Sequence, residues 1–392
     1  MKIESKAVHV GDRKKPSASI PSTTPIFSAT TYTYETVEHL DKVFGEEVEG
    51  QSYSRYGNPT NQALEELLTS LEGGVETLAC SSGMTALHVA VTTALMDRPK
   101  YVLAANAIYG ATVKMLMQVL EPFGVETRFV DICDTDAVQA AIRERKPGCI
   151  LMETISNPLL RVGDIPELAG MAREAGAALV VDNTFATPML VRPLELGAHM
   201  SVHSLTKYLS GHGDVLGGSI TTGAEHAPML RGMGRIYGPI LGPFESYLTM
   251  RGIKTFPLRM ERQCRNACRL ASWLSSHPKV ERVYYPADPK HPDSETIARL
   301  LPRDLPGAIV SFELKDAAKP EVFACMDRLK MIVRGTSLGD VHTLALYPAI
   351  SSHRDISPKQ RERLGIRDSL IRISVGIESV DDIIADLEEA IG

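Results

Sequence analysis

Lys207 stands in Ser204-Leu-Thr-Lys207-Tyr208-Leu-Ser-Gly-His-Gly-Asp, and about 25 residues upstream lies Leu179-Val-Val-Asp182-Asn-Thr184. A run of aliphatic residues ending in Asp, then a polar segment with a Lys flanked by hydroxyls, can meet two chemical demands at once. The amine can form an imine with a carbonyl, and the carboxylate can keep a ring nitrogen protonated. Pyridoxal 5′-phosphate (PLP) makes both demands, and its enzymes pair a Schiff-base Lys with an acid at the pyridine nitrogen.

Other strings supply what such a cofactor would need. Leu78-Ala-Cys80-Ser-Ser82-Gly83-Met84-Thr85 reads as a strand, a small-residue turn and a helix start. Free N–H groups at a helix N-terminus, with the macrodipole behind them, favour an anion; a plain Ser/Gly turn would read the same way. Tyr53-Ser-Arg55-Tyr-Gly57-Asn-Pro-Thr60 adds a phenol and a guanidinium, and Arg can grip phosphate with two donors or stay solvated. Asp182 closes an apolar run, so it should be largely buried and in want of a cation or strong donors; the alternative is a turn or helix cap. Tyr109 follows the apolar run Tyr101–Ala105 and could stack on a planar ring or merely fill space. Asn157, in Glu153-Thr-Ile-Ser-Asn157-Pro158, could bond the ring's phenolate oxygen or simply form a polar turn.

Competing chemistries lack their companions. Ser204-Leu-Thr-Lys207 also fits S-x-x-K, but the S-D-N and K-T-G strings of penicillin-recognising serine enzymes are missing. Gly211-His-Gly213 and Gly232-Met-Gly234 have no third Gly at dinucleotide-binding spacing, and neither a Walker A string nor H-E-x-x-H occurs. The six Cys have no CxxC or CxxxH spacing, and the His residues, among them His203, His212 and His342, form no metal-ligand pattern. No metal is expected.

The elements that must position these groups alternate. Short β-rich runs at Glu76–Cys80, Tyr101–Ala105, Glu126–Val130, Cys149–Glu153, Ala178–Asp182 and Gly218–Thr222 are separated by amphipathic stretches at Thr85–Leu95, Thr112–Phe123, Asp136–Arg145 and Ile165–Glu174. This pattern predicts an α/β fold with a mainly parallel sheet covered on both faces. Ligands in such sheets lie beyond the strand C-termini, where Asp182 and the Lys207 segment would fall. A helical zone over Glu245–His277, broken near Thr255-Phe-Pro257, leads to a smaller α/β unit. Its predicted strands are Val280–Tyr285, Ala308–Glu313 and Leu370–Gly376, and its predicted helices Pro320–Leu329 and Val380–Ile391. The first sixty residues are poor in helical periodicity and read as an extended arm lying on its own domain or on a neighbour. The expected division is an arm over 1–60, a large domain over 61–255 and a small domain over 256–392.

Composition narrows the partners. A formal charge of −6 leaves no basic footprint for nucleic acid. The opening Met-Lys-Ile-Glu-Ser-Lys lacks the apolar stretch of a signal peptide, and no apolar run approaches membrane-spanning length. A cytoplasmic protein acting on a small molecule is expected.

Taken together, Tyr53-Ser-Arg55…Asn58-Pro-Thr60, Ser82-Gly83-Met84, Val181-Asp182-Asn-Thr184, Ser204-x-Thr206-Lys207-Tyr208, Met250-Arg-Gly-Ile-Lys-Thr255 and Ser337-Leu-Gly resemble one family, in order and spacing. It is the cystathionine γ-synthase, cystathionine γ-lyase and methionine γ-lyase family of fold-type I PLP enzymes, and the likeness runs from about residue 20 to the C-terminus. The resemblance implies that Lys207 carries the cofactor and then shuttles protons, while Asp182 holds the pyridinium nitrogen. It implies that Tyr109 stacks on the ring and acts as acid or base at the γ leaving group. Ser82, Gly83, Met84, Ser204 and Thr206 would bind phosphate, with Asn157 and Thr184 completing the cofactor set. Tyr53 and Arg55 would reach a neighbouring subunit's site, making a homotetramer built from active dimers. Arg372, with Ser337 and Leu338, would clamp the substrate's α-carboxylate.

The reaction is left open by that resemblance. Methionine γ-lyases usually carry Cys where this chain has Ala111, and Lys-Asp in the segment holding Gly234-Arg235. Cystathionine-handling members tend to place an acid where Ser52 stands, and most members have Glu where Ser337-Leu-Gly-Asp-Val-His342 ends in His. His342 is either a surface substitution or a change to the distal pocket. Without both acids the second ammonium of cystathionine lacks partners, and an unpaired buried charge is costly. The expectation is γ-elimination on methionine or homocysteine, giving a thiol or hydrogen sulfide, 2-oxobutanoate and ammonia. The alternatives are cystathionine γ-lyase, or γ-replacement on an O-acylhomoserine as in cystathionine γ-synthase and O-acetylhomoserine sulfhydrylase. A catalytically dead relative is the remaining reading, set against filled Lys, Asp, Tyr and Arg positions.

Overall fold

A computed structural model describes residues 1–11, 20–351, 354, 361 and 364–392; part of the expected arm, residues 12–19, lies outside them. Seven strands form the first sheet: β1 (Glu76–Cys80), β2 (Tyr101–Ala105), β3 (Glu126–Val130), β4 (Cys149–Glu153), β5 (Ala178–Asp182), β6 (Met200–Ser204) and β7 (Gly218–Thr222). Their order is β1-β7-β6-β5-β4-β2-β3, and only β7 runs against its neighbours β1 and β6. Five of these strands (β2, β4, β5, β6 and β7) are almost wholly buried, as the apolar runs of Tyr101–Ala105, Cys149–Glu153 and Ala178–Asp182 require of theirs.

Helices close both faces. Gly83–Leu95, whose Ala86, Val89, Ala90 and Ala94 are buried, packs on β5, β6 and β7, while Pro59–Glu72 packs on β1. Such small residues let a helix lie close on the sheet. The segment predicted as one helix over Thr112–Phe123 is instead a short α-turn, Gly110–Lys114, then a wider π turn, Met115–Leu120, and a 3₁₀ turn, Glu121–Phe123. Pro122 has no N–H to continue the ladder, which accounts for the irregular end.

Two helices, Pro243–Ile253 and Phe256–Ser276, lead from the first sheet to a second of five strands. These are β8 (Val280–Tyr284), β9 (Ile309–Leu314), β10 (Val333–Arg334), β11 (Leu344–Leu346) and β12 (Leu370–Ser374), in the order β10-β11-β12-β9-β8. Each sheet has its own core: Leu103, Leu151 and Val181 for the first, Phe312, Ile371 and Leu387 for the second. Arg259 ties the two helices to the segment after β6, donating from a buried position to the carbonyls of Tyr208 and Gly252 at 2.8 and 2.9 Å. In the arm, the expectation of little helix is corrected by Ile3–His9 and Val37–Phe44, the latter capped by Thr36.

Candidate active site

The C-terminal ends of β1, β4, β5 and β6 converge. Asp182 ends β5, recessed among protein atoms, and one of its oxygens accepts from the Thr184 N–H at 3.0 Å. Burial raises its pKa, a shift only partly offset by the bonds to Thr184. Such a carboxyl gains from a cationic N–H placed against it. The Thr184 hydroxyl in turn accepts from the Ser204 N–H at 2.9 Å, tying the end of β6 to Asp182.

Gly218, at the start of β7, pairs with both Cys80 and Ser204. One glycine therefore sets the turn after β1 beside the Lys207 segment. A Cβ at Gly218 would come within 2.3 Å of the Ser82 carbonyl oxygen, and one at Gly83 within 2.9 Å of Ser204 Cβ. Ser82 caps the thirteen-residue helix Gly83–Leu95 through Thr85 N–H, so Gly83 and Met84 present the first free N–H groups of that helix. The Thr206 hydroxyl is engaged with Gly217, donating to its carbonyl at 3.2 Å and accepting from its N–H at 3.0 Å.

Lys207 points across to the second sheet's loop, where Nζ donates to Ser337 Oγ at 2.9 Å. Burial, and then the Arg372 guanidinium, bring its amine down to about 8. That loop fits closely because Gly339 adopts φ +73°, and a Cβ there would lie 2.5 Å from the Tyr208 nitrogen. Leu338 beside it is buried. Arg372, on β12 and only 2% exposed, donates through Nη1 to Asn157 Oδ1 and through Nη2 to the Ser337 carbonyl, both at 2.9 Å. Its Nε has no partner, and no carboxylate forms an ion pair with it among the described residues. A buried guanidinium in that condition calls for an anion. Tyr109 completes the rim with its side chain about two-fifths exposed at the start of Gly110–Lys114, where Ala111 follows.

Residues 4–392 match the model of the Cys/Met metabolism PLP-dependent enzyme family. The chain belongs to that family. L-methionine γ-lyase of Fusobacterium nucleatum subsp. polymorphum is 39% identical over 391 residues, which is 98% of this chain and 96% of the relative. Cystathionine β-lyase of Lactococcus lactis subsp. cremoris is 38% identical, covering 99% of this chain and 98% of the relative. The crystal structure of a cystathionine γ-lyase from Micromonospora echinospora superposes with a TM-score of 0.92 at 34% identity, over 100% of this chain and 99% of that one. The chain is thus a PLP-dependent enzyme of sulfur-amino-acid metabolism with the fold-type I architecture, and PLP is its cofactor.

The donor set fits that cofactor. A near-neutral amine, a recessed carboxyl wanting an N–H, and a helix N-terminus too close to Ser204 and Gly218 for any added side chain lie at one end of the sheet.

The remaining expected residues gather elsewhere. A cleft of about 1330 Å³ is lined by Ser52, Arg55, Gly234 and Arg235, and not by Lys207, Asp182 or Tyr109. Arg55 donates to the Arg235 carbonyl and lies over the Tyr53 and Tyr56 rings, 5.8 and 4.6 Å from their centroids. Arg235 pairs with Glu46 at 2.5 Å. Gly234 faces Leu78, which a Cβ would approach to 2.8 Å. His342 is exposed and bonds Asp340 at 3.0 Å.

Two buried groups carry no sequence signal strong enough to mark them. Glu153 ends β4 opposite Asp182, and its oxygens accept from the Tyr109 and Asn157 N–H groups at 2.7 and 3.2 Å. His203 Nε2 meets Glu72 at 2.5 Å in the interior. Tyr109 is 44 residues from Glu153 and Glu72 is 131 from His203, and the nearer partner, Asn157, is met only through its backbone.

Proposed function

We propose that this enzyme eliminates the γ-substituent of methionine or homocysteine, releasing a thiol or hydrogen sulfide, 2-oxobutanoate and ammonia. The observation that carries the reading is the link from Lys207 through Ser337 to Arg372, which sets an amine of lowered pKa beside a guanidinium without a carboxylate partner among the described residues. An amino acid held by its carboxylate at Arg372 would present its Cα to the Lys207 amine. The similarity to L-methionine γ-lyase adds support.

Asp182 would hold the ring nitrogen and the N–H groups of Gly83 and Met84 the phosphate, with Ser82, Ser204 and Thr206 shaping the cradle. Tyr53, Arg55, Asn157 and Thr184 would complete the cofactor set. When bound, PLP supplies an electron sink for charge developing at Cα and Cβ. The Lys207 amine would take the proton from Cα and return it at the next stage, its value near 8 suiting both directions. Tyr109 would give a proton to the departing sulfur. Arg372, Ser337 and Leu338 would orient the α-carboxylate and exclude water from it.

Tyr53 and Arg55 lie apart from Lys207 in their own chain, so the reading assigns them to the site of a second copy, within active dimers that pair into a homotetramer. It keeps the arm at 1–60, the PLP-binding domain at 61–255 and the small domain at 256–392. It places the enzyme in the cytoplasm, where its six free cysteines would stay reduced.

A second reading, cystathionine γ-lyase, draws on Glu47 and Glu49, exposed carboxylates in the cleft that holds Ser52. The distal ammonium could sit there even though Glu46 is taken by Arg235. Incubation with methionine, homocysteine, cystathionine and O-acetyl- or O-succinylhomoserine, with and without cysteine, separates these readings. Release of 2-oxobutanoate from methionine or homocysteine is expected. Turnover of acylated substrates only when thiol is added, with none on methionine, would overturn the choice and indicate γ-replacement.

A further inference from the structure

We infer that Glu153 is a positioning residue whose carboxylate holds the Tyr109 phenol and the Asn157–Arg372 clamp in one frame. The inference rests on the roles proposed above for Tyr109 and Arg372.

Glu153 is 8% exposed at the C-terminal end of β4, in register with Asp182 on β5. Its two oxygens are divided between two loops. Oε1 accepts from the Tyr109 N–H at 2.7 Å, and Tyr109 begins a helix that has no side-chain cap of its own. Glu153 therefore takes the N–H of the N-cap residue, as the Glu of a capping box does, and it fixes the residue from which the phenol projects. Oε2 accepts from the Asn157 N–H at 3.2 Å, and the side chain of that Asn receives Arg372 Nη1 at 2.9 Å. Arg372 then reaches the Ser337 carbonyl, and Ser337 Oγ receives Lys207. One buried group thus joins the residue that would protonate the leaving sulfur to the one that would hold the substrate carboxylate.

The chemistry of the acceptor matters. Two N–H donors converge on the two oxygens, and a carboxyl can accept on both sides where an amide cannot. A Gln of the same shape would satisfy one loop and turn its own N–H₂ against the other. Burial and then the Asp182 carboxyl push this acid up to about 8, and the Tyr109 and Asn157 N–H groups pull it back toward the ionised form.

A double-mutant cycle tests the claim, with PLP-loaded Glu153→Gln, Tyr109→Phe and the double variant compared with the parent. Two quantities are read: kcat for elimination, and the affinity for glycine followed by the change in cofactor absorbance. Glycine has the carboxylate and amine but no γ-substituent. Glu153→Gln is expected to lower kcat roughly tenfold in the parent but less than about twofold when Tyr109 is already Phe, because the phenol it positions is gone. Glycine binding is expected to weaken roughly tenfold in both backgrounds. An equal kcat penalty in both backgrounds, or unchanged glycine affinity, overturns the inference. Undiminished kcat in Tyr109→Phe would sink the role of Tyr109 and with it that half of the frame, while the glycine titration still decides the Asn157–Arg372 half. Should the Gln variant fail to fold, Glu153→Asp, which keeps the charge but withdraws the oxygens by one methylene, enters the same cycle with the same outcomes.

Discussion

Lys207 and Ser337 meet across the seam between the two sheets, with Nζ donating to Oγ at 2.9 Å. The same Ser337 offers its carbonyl to Arg372, so the two groups proposed to act on one substrate share a single loop residue. Burial and the Arg372 charge keep the Lys207 amine near 8, well below an ordinary lysine. The account of the enzyme turns on that amine.

Cofactor capture should follow its titration. Only the neutral amine attacks an aldehyde, so the rate of PLP uptake by apoprotein should rise about tenfold per pH unit below 8 and level off above it. The depressed value also sets a sign for stability. Lys207 disfavours the folded apoprotein fully below pH 8, and this penalty is lost as pH climbs towards 10.5. Stopped-flow absorbance on both sides of pH 8 gives the answer, and a rate independent of pH below 8 would contradict the assignment.

Arg372 should govern substrate affinity. Arg372→Lys keeps the charge but loses the forked donor geometry, and Arg372→Ala loses both. KM is expected to rise by about tenfold in the first and about a hundredfold in the second, with smaller changes in kcat. Steady-state kinetics on the best substrate decide this; an unaltered KM in Arg372→Ala would remove the clamp.

Gly218→Ala should act at a distance from the amine. Its Cβ would meet the Ser82 carbonyl at 2.3 Å, which is backbone and cannot swing away. The turn after β1 should shift, at a cost of about 1–3 kcal/mol in stability and about tenfold in PLP affinity. Thermal melting and equilibrium PLP titration report the two effects.

Much of this was legible in the sequence. Six strands of the first sheet are short β-rich runs, and their limits match the structure residue for residue. The strand bearing His203 and Ser204 escapes because Met200-Ser-Val-His-Ser alternates buried polar with apolar residues, so burial leaves no apolar run. Lys207 and Asp182 stand out because their chemistry is local to short strings. Glu153 does not, since its meaning lies in two backbone N–H groups, one from its own loop and one from a loop 44 residues earlier. His342 reads from its string as either a surface substitution or a change to the distal pocket; in space it is exposed and paired with Asp340.

A shared site predicts rescue between subunits. Arg55→Ala and Lys207→Ala should each be inactive alone, and co-refolding them should restore roughly a quarter of the activity, because some sites then draw both intact residues from different chains. Activity measured after mixing, with none regained, would argue that Arg55 serves its own chain.

The visible spectrum of Lys207→Ala protein, purified in the presence of PLP, tests the central claim most directly. The account predicts loss of the absorbance band that the parent shows with its covalently held cofactor. A Lys207→Ala protein with the parent's spectrum unchanged would contradict it.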